Sequence, residues 1–361
     1  MDREPEQLVV RRDVRTGLVG VIALHSTALG PAAGGCRRWQ YTDEAAAIDD
    51  AKRLAEGMTL KNALAGIPFG GGKSVLLSDG SAEPTAAQLQ VFAGWLNELQ
   101  GRYVTAEDVG MGVAQMRSLA EHTPYVSGIG YGGFGGDPSP KTAYGVFLGL
   151  KALVQRFLER EHLYGLTVAV QGLGSVGMSL CHWLARAGAS LVVADVRRQR
   201  VEMAVRKYDA RAVDVHTILT EPADVLAPCA LGGVLTPAIA ETLRVELVAG
   251  AANNQLSESS VGETLAARGV IYAPDFVINA GGVISVAQEY LQQTAPCGDG
   301  DTHREEWLSE RLDTIPQRLL QIVGTALHTG ESTDLVARRE AAAVLAGAGP
   351  AGLAGDAVRA A

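Results

Sequence analysis

The sequence predicts an α/β protein of two domains, in which a mixed α/β domain precedes a doubly wound parallel sheet. The chain has 361 residues, more than one hydrophobic core usually organises. Short apolar stretches alternate with helical ones through the second half, as in parallel sheets with helical crossovers. Glycine and proline cluster at 128–140, which predicts a hinge and places the domains at 1–137 and 138–325. Whether the C-terminal helices over about 325–361 pack back on the first domain stays open.

The composition limits the location and the partners of the protein. A formal net charge of −9 argues against a nucleic-acid-binding surface. The four cysteines lie far apart without a C-x-x-C pair, which is typical of reduced thiols in the cytoplasm and not of a disulfide framework or zinc site. No secretory signal and no membrane-spanning stretch is visible. We expect a cytoplasmic protein without a metal site that binds neither nucleic acid nor a membrane.

The first domain begins with strands and continues with a helix that carries Lys61. Apolar runs at 8–10 and 18–24 flank a turn, which predicts a hairpin, and 30–35 is expected to be a glycine loop. The next helix begins near Asp43, and Lys61 continues its apolar stripe. A buried ammonium needs an anion, so we predict a carboxylate partner or substrate for Lys61. The alternative is that its side chain reaches water at the helix end.

Glycines at 70–72 precede Lys73 and an apolar strand at 75–77. A nucleotide-triphosphate loop is excluded because Ile67 stands where that motif needs glycine, and because the lysine precedes a strand. Because the three glycines before Lys73 have no side chains, we expect its ammonium to face a cleft. Burial and a nearby Lys61 would both lower the pKa of Lys73, which predicts a general base near neutral pH. An ordinary surface lysine is the alternative.

Two carboxylates follow the next strand of this domain. A helix over about 86–100 leads to the strand 103–106, which is directly followed by Glu107 and Asp108. Carboxylates at the carboxyl end of a strand lie where α/β proteins usually bind ligands. Asp108 is the better candidate because it lies one residue further into the loop, although the sequence barely separates the two. A helix near 112–122 follows.

A strand, a glycine turn and a helix in the second domain predict a Rossmann dinucleotide site. Gly172, Gly174 and Gly177 form a G-x-G-x-x-G pattern after the strand 166–171. The first permits the turn, the second admits a pyrophosphate, and the third lets the helix pack closely. A second strand ends at Asp195, which can accept hydrogen bonds from the adenosine ribose. An ordinary strand–helix corner is the alternative.

The remaining elements of the second domain continue the alternation. Asn253 and Asn254 follow an apolar strand and offer the donors and acceptors that a nicotinamide carboxamide needs. The predicted elements are helices over about 141–161, 304–328 and 331–346, a helix to about residue 186, and strands near 191–194, 224–228, 247–252 and 270–273. The tail from about residue 345 is expected to fray.

Together these segments resemble the Glu/Leu/Phe/Val dehydrogenase family of amino-acid dehydrogenases. The similarity covers roughly residues 17–330, and the matching segments occur in the family's order. They are 30–35, 58–63, 68–73, 106–110, 250–254 and 272–275. The resemblance implies NAD-dependent, reversible oxidative deamination of an L-amino acid to its 2-oxo acid and ammonia. It also implies a homo-oligomer with the active site in the cleft between a substrate domain and a dinucleotide domain.

The resemblance assigns roles to individual residues. Lys61 would bind the substrate carboxylate, and Lys73 would act with a water as the base in forming and breaking the carbinolamine. Asp108 would exchange protons with the substrate amine, which decides between it and Glu107. The other candidate substrate-binding residues are Gly34, Gly35, Ala33, Met58, Ala106, Ser127, Asn254, Val283 and Val286. The candidate cofactor-binding residues are Gly172, Gly174, Ser175, Val176, Gly177, Asp195, Thr142, Ala251 and Asn253.

The resemblance also constrains the substrate and the cofactor. Glutamate dehydrogenases of the family carry a lysine at the position of Ala33, so a dicarboxylate would lack its counter-ion here. The apolar candidates favour a hydrophobic side chain such as that of leucine, valine or phenylalanine. An aromatic substrate such as phenylalanine or tryptophan, in place of a branched-chain one, stays open. Asp195 favours NAD because it would repel a 2′-phosphate, whereas Arg197 and Arg198 leave NADP as the second choice.

A dinucleotide-binding regulator without catalysis is the alternative function. It is weakened because Lys61, Lys73 and Asp108 are all present, and a sensor would not need all three.

Overall fold

The computed structural model describes residues 4–130, 136–294 and 301–348. The described residues within Met1–Pro138, Val283–Leu308 and Ala341–Ala361 form one compact unit, and Ser139–Gly282 with Ser309–Glu340 form the other. Part of the predicted hinge, 131–135, and the tail from residue 349 lie outside the described residues. The domain limits expected from the sequence stay a prediction.

The strands and helices follow one another along both units. The strands are β1 (Gln7–Asp13), β2 (Leu18–Ser26), β3 (Ala32–Trp39), β4 (Gly70–Leu77), β5 (Tyr103–Ala106), β6 (Thr167–Gln171), β7 (Ser190–Ala194), β8 (Arg211–Ala212), β9 (Val225–Pro228), β10 (Leu247–Val248) and β11 (Ile271–Tyr272). The helices are α1 (Glu44–Leu64), α2 (Ala86–Glu98), α3 (Val113–Ala120), α4 (Ser139–Phe157), α5 (Ser175–Arg186), α6 (Arg198–Tyr208), α7 (Pro237–Thr242), α8 (Ser260–Ala267), α9 (Asp275–Ile278), α10 (Gly281–Thr294), α11 (Asp301–Thr329) and α12 (Thr333–Gly347).

The first unit is built on a mixed five-stranded sheet of order β1-β2-β4-β3-β5. The predicted hairpin forms, since β1 and β2 pair antiparallel, and β2 also pairs antiparallel with β4. By contrast, β3 pairs parallel with both β4 and β5. An apolar core that includes Phe92, Leu96 and Met116 lies between the sheet and α2 and α3. Because β3, β4 and β5 run the same way, residues near their carboxyl ends are brought together.

Two glycine-rich segments differ from the sequence prediction. The segment 30–35 is expected to be a loop and 70–72 to precede a strand, yet β3 begins at Ala32 and β4 begins at Gly70. Lys73 therefore lies inside a strand. Helix α1 explains why these strand residues are glycines, because a Cβ on Gly71 would lie 2.1 Å from the backbone nitrogen of Thr59 in that helix. The glycines are strand residues that let a helix pack directly on the backbone.

Helix α1 begins where the sequence predicts, and Asp43 caps it by accepting the N–H of Ala46 at 2.8 Å. Its buried face follows small residues, Ala47, Ala51 and Ala55, because these permit a close approach to the sheet. The prediction that Lys61 lies on the buried stripe is wrong. Lys61 is half-buried instead.

The second unit contains a six-stranded sheet of order β11-β10-β9-β6-β7-β8, in which every pairing is parallel. The chain runs outward from β6 to β8 and then returns to β9 and runs outward to β11. This is the doubly wound order of the Rossmann fold, and it confirms the predicted class. Such sheets bind ligands where the strand order reverses, here beside the carboxyl ends of β6 and β9. Among the described residues, no helix meets the length and hydropathy needed to cross a membrane.

Candidate active site

An ion pair joins the buried Lys73 and the half-buried Asp108 in the first unit. Lys73 lies in β4 and is 6% exposed, and its Nζ is 2.5 Å from Oδ2 of Asp108. The structure thus places a carboxylate directly beside Lys73. The pair compensates both charges, since burying either charge alone is costly.

Gly35 allows the two side chains to meet. Strand β5 ends at Ala106, which pairs with Gly35 near the middle of β3. Asp108, two residues further on, therefore lies against β3 at Gly35. A Cβ on Gly35 would lie 2.5 Å from the carbonyl oxygen of Glu107 and 2.9 Å from the Cβ of Asp108. Any side chain at position 35 would therefore displace the loop that carries Asp108.

The environment of Asp108 keeps its carboxyl group ionised. Burial alone would raise the pKa of Asp108, but the positive charges of Lys73 and Arg37 outweigh burial and lower this pKa below its usual value. Arg37 lies in β3, with its Nε 3.3 Å from the Oδ2 atom of Asp108 that Lys73 also contacts. Asp108 is thus an anion at neutral pH that can hydrogen-bond to a cationic amine.

Glu107 has the opposite behaviour although it is the neighbouring residue. Burial, reinforced by the negative charges of Asp137, Asp108 and Glu289, raises the pKa of Glu107 to about 7. Different environments thus separate the proton affinities of two adjacent carboxylates, a pattern found at acid–base sites. The structure distinguishes the two residues where the sequence could not.

We expect Glu107→Gln to raise the thermal midpoint at about pH 8 by roughly 2–4 °C. Since the folded-state pKa of Glu107, about 7, exceeds the ordinary value of 4.5, its contribution to stability is present below about pH 4.5 and is lost as the pH rises through 7. Glutamine imitates the protonated acid at every pH. Melting both proteins at about pH 5 and pH 8 checks this, and equal midpoints at the higher pH would contradict it.

The apolar candidates also belong to the first unit. Ala33, Ala106, Val283 and Val286 are each half-buried. The hydroxyl of Ser127 donates to the carbonyl of Val286 at 2.8 Å, which ties the segment after β5 to helix α10.

Two further candidates, Gly34 and Met58, are neighbours. A Cβ on Gly34 would lie 2.9 Å from Cγ of Met58, so the methionine packs on the strand backbone. The buried hydroxyl of Tyr103 donates to the carbonyl of Gly34 at 2.7 Å and fixes this part of β3.

Sequence reasoning missed Glu289. This carboxylate is fully buried in α10 and accepts the N–H groups of Ile129 and Gly130 at 2.8 and 3.3 Å, so it holds the backbone beside Ser127. Its burial raises its pKa although these hydrogen bonds act to lower it. A lone acid within an apolar helix is the signal that could have identified it.

The glycine turn of the second unit fits a dinucleotide. Gly172 has φ +91°, which a side chain would strain, and a Cβ on Gly177 would lie 2.0 Å from the carbonyl oxygen of Gly172. A Cβ on Gly174 would instead meet open space, its nearest neighbour being Nη1 of Arg200 at 4.0 Å. Gly174 is the N-cap of α5 and has no side-chain cap among the described residues, so Ser175 and Val176 present backbone N–H groups there.

Asp195 follows β7 as predicted. Its two carboxylate oxygens accept the N–H groups of Leu173 and Arg197 at 2.6 and 2.7 Å, and its side chain is 6% exposed. Each oxygen keeps a second lone pair that a ribose hydroxyl can use.

Two of the remaining candidates of the second unit, Ala251 and Asn253, contact Asn279, which sequence reasoning also missed. The buried amide of Asn279 donates to the carbonyl of Ala251 at 3.0 Å and to Oδ1 of Asn253 at 2.8 Å. Asn254 has φ +50° and donates its N–H to Asp275. Thr142 lies near the start of α4, where a Cβ on Gly281 would approach its nitrogen to 3.2 Å.

Two family models match the chain. One, described as "Glu/Leu/Phe/Val dehydrogenase, dimerisation domain", matches residues 6–125, and the other, "Glutamate/Leucine/Phenylalanine/Valine dehydrogenase", matches residues 193–347. The chain belongs to this family. The family suggested by the sequence motifs is therefore confirmed, and the chain is an amino-acid dehydrogenase.

Individual members of the Glu/Leu/Phe/Val dehydrogenase family are similar over most of their length. Leucine dehydrogenase of Bacillus subtilis is 47% identical over 285 residues, which are 79% of this chain and 78% of that protein. Valine dehydrogenase of Streptomyces albus is 43% identical over 288 residues, 79% of each protein. The crystal structure of L-tryptophan dehydrogenase from Nostoc punctiforme has a TM-score of 0.80 at 37% identity, covering 95% of this chain and 96% of that one.

Proposed function

We propose that this protein catalyses the NAD-dependent, reversible oxidative deamination of a hydrophobic L-amino acid to the 2-oxo acid and ammonia. The observation that carries the proposal is the ion pair between the buried Lys73 and Asp108 in a member of an amino-acid dehydrogenase family. The similar proteins are named for leucine, valine and tryptophan, all of which have hydrophobic side chains. The non-catalytic regulator finds no support among them.

The first unit supplies the groups that handle the amino acid. Lys61 binds the substrate carboxylate. Asp108, an anion because of Lys73 and Arg37, accepts a proton from the substrate ammonium and so frees the nitrogen lone pair. After hydride has left the α-carbon, water adds to the resulting iminium carbon, and Lys73, having first released its own proton, takes a proton from that water as the carbinolamine forms.

The second unit supplies the dinucleotide site. A nicotinamide bound there would supply the acceptor for the hydride of the substrate α-carbon. The turn at Gly174 and the first N–H groups of α5 would hold the pyrophosphate, and Asn253 and Ala251, fixed by Asn279, would hold the carboxamide. Asp195 binds the ribose hydroxyls and supports NAD over NADP, since its charge would repel a 2′-phosphate.

The substrate class follows from the apolar candidates. Ala33, Ala106, Val283 and Val286 offer no cation to a side-chain carboxylate, so glutamate would lose its hydration without compensation. They accept leucine or valine, and the small Ala33 also admits an aromatic side chain. Because one methylene contributes only about 1–3 kcal/mol of discrimination, we expect activity on several hydrophobic amino acids.

The dimerisation domain of the family supports a homo-oligomer, and the free thiols of Cys36, Cys181 and Cys229 support a cytoplasmic location.

An absorbance assay tests the proposed function. The protein is incubated at alkaline pH with NAD or NADP and each of leucine, valine, phenylalanine, tryptophan and glutamate, and absorbance is followed at about 340 nm. We expect NAD reduction with the hydrophobic amino acids and little with glutamate. No reduction with any of them would overturn the proposal.

Two glycine variants test the dinucleotide site. Gly174→Ala should keep the wild-type thermal midpoint, because its Cβ meets open space, but should weaken NADH binding at least tenfold if a pyrophosphate lies against that backbone. Gly177→Ala should lower the midpoint, because its Cβ would lie 2.0 Å from a carbonyl oxygen. Fluorescence titration with NADH and thermal melting separate the effects. Unchanged NADH affinity in Gly174→Ala would place the dinucleotide elsewhere.

A further inference from the structure

A row of alternating charges extends from the Lys73–Asp108 pair through Arg37 to helix α1. The guanidinium of Arg37 lies between two carboxylates, with Nε 3.3 Å from Oδ2 of Asp108 and Nη1 3.0 Å from Oδ2 of Asp50. These groups come from β3, the segment after β5, and α1, and the Arg37 side chain is only 23% exposed. A half-buried arginine with two anions is held far more firmly than a surface one.

Asp50 is itself fixed. The hydroxyl of Tyr41 donates to its Oδ2 at 2.6 Å, and Nη2 of Arg53 donates to its Oδ1 at 2.5 Å. Burial would raise the pKa of Asp50, but these hydrogen bonds and the charge of Arg37 lower it below its usual value. Asp50 is therefore a permanent anion at neutral pH, and it anchors one side of the guanidinium.

We propose that Arg37, held by Asp50, is a positioning residue that keeps the Asp108 carboxylate against Lys73. The inference rests on the proposed function, in which Asp108 and Lys73 move protons. Arg37 and Lys73 make their closest approach to the same oxygen of Asp108, so the carboxylate is held from two sides. Asp108 lies beyond the end of β5, where its backbone pairs with Met111, and without Arg37 the only cation left on its carboxylate would be the flexible side chain of Lys73.

Arg37 also controls when Asp108 is ionised. The groups that face Asp108 are Lys73 from β4, Arg37 and the Cys36 thiol from β3, and Glu107 from its own segment. Of these, Arg37 and Lys73 are the cations that favour the carboxylate. Removing Arg37 leaves burial opposed by Lys73 and the backbone N–H of Val109, so the pKa of Asp108 would rise and it would bind a proton at a higher pH.

The test compares Arg37→Gln, Arg37→Lys and Asp50→Asn with a control, Arg11→Gln. Arg11, which lies on β1 of the same sheet, makes an exposed ion pair with Glu98 at the end of α2. Its loss should therefore leave activity unchanged. For each protein, kcat, the KM of the best amino acid, NADH affinity and the thermal midpoint are measured. The acid limb of kcat/KM against pH is recorded as well.

We expect Arg37→Gln to lower kcat roughly 10- to 100-fold, as a small misplacement of a reacting group does. The acid limb should move upward by about one to two pH units, because an opposite charge has been removed from Asp108. NADH affinity should not change. Arg37→Lys should recover part of the lost kcat. Asp50→Asn should lower kcat and raise the acid limb by smaller amounts than Arg37→Gln does, because Arg37 remains but is held on one side only.

Glu107 also titrates near neutral pH, so the pH profiles are repeated with Glu107→Gln in every protein, which assigns the shift to Asp108. A wild-type kcat and acid limb in Arg37→Gln would overturn the inference. A lowered midpoint with equal loss of kcat at every pH and no recovery by lysine would show a structural role instead. If Arg37→Gln does not fold, an unshifted acid limb in Asp50→Asn overturns the inference. An inactive wild-type protein would overturn the proposed function and not the charge row.

Discussion

Lys73→Ala is expected to lower kcat by roughly 1,000-fold with the best amino-acid substrate while NADH affinity stays near that of the wild type. Lys73 is the base that takes a proton from water in the proposed reaction, and alanine offers no replacement. The residue lies in β4 of the first unit, so its loss leaves the glycine turn of the second unit intact. Stopped-flow kinetics and NADH titration measure the two quantities.

Lys61→Ala is the matched control, because it removes the same functional group from a residue with a different role. Lys61 is half-buried at the end of α1 and is assigned to the substrate carboxylate. We expect its removal to raise the KM of the amino acid with a smaller change in kcat, the pattern of lost ground-state binding. If Lys73→Ala kept most of its kcat, the base would have to be another group. An unchanged KM in Lys61→Ala would make that lysine structural.

Most elements could be predicted from the sequence because their signals are local. The hairpin, the cap of α1 at Asp43 and the parallel strands around Gly172 all follow from residues within a few positions of one another. The glycines of β3 and β4 misled the prediction because their role is set by α1, which packs on them from elsewhere in the chain. Glycine weakens a strand unless another backbone must approach, and spacing does not show that approach.

The site shows the same division. The motifs lead to Lys73 and Asp108, but the sequence does not show that β5 ends opposite Gly35, which brings the two together. The sequence does not indicate Arg37 and Asp50, because the arrangement of a guanidinium between two carboxylates brings together residues from three separate elements. What could not be predicted is therefore the electrostatic environment of the reacting groups, which depends on strand register and not on composition.

The two adjacent carboxylates allow the sharpest test of that environment, because each can be replaced by its isosteric amide. We expect Asp108→Asn to lower kcat roughly 100- to 10,000-fold, the range for losing a positioned acid–base group, while Glu107→Gln keeps most of its activity. Asparagine keeps the shape of Asp108 but cannot accept the proton of the substrate ammonium. Steady-state kinetics on both variants with the same amino acid measures this contrast.

Stability should change in opposite directions in the same two variants. The pKa of Asp108 is lowered in the fold, so its contribution to stability is present above its ordinary pKa of 3.8 and is lost only as the pH falls through the lowered value. At about pH 8 Asp108→Asn removes the anion that Lys73 and Arg37 share and leaves the buried Lys73 without its carboxylate, which should lower the thermal midpoint. Glu107→Gln removes a charge from an acidic cluster and should raise it. Midpoints that move in the same direction would mean that the two carboxylates share one environment, and the assignment of Asp108 as the ionised partner of Lys73 would then be wrong.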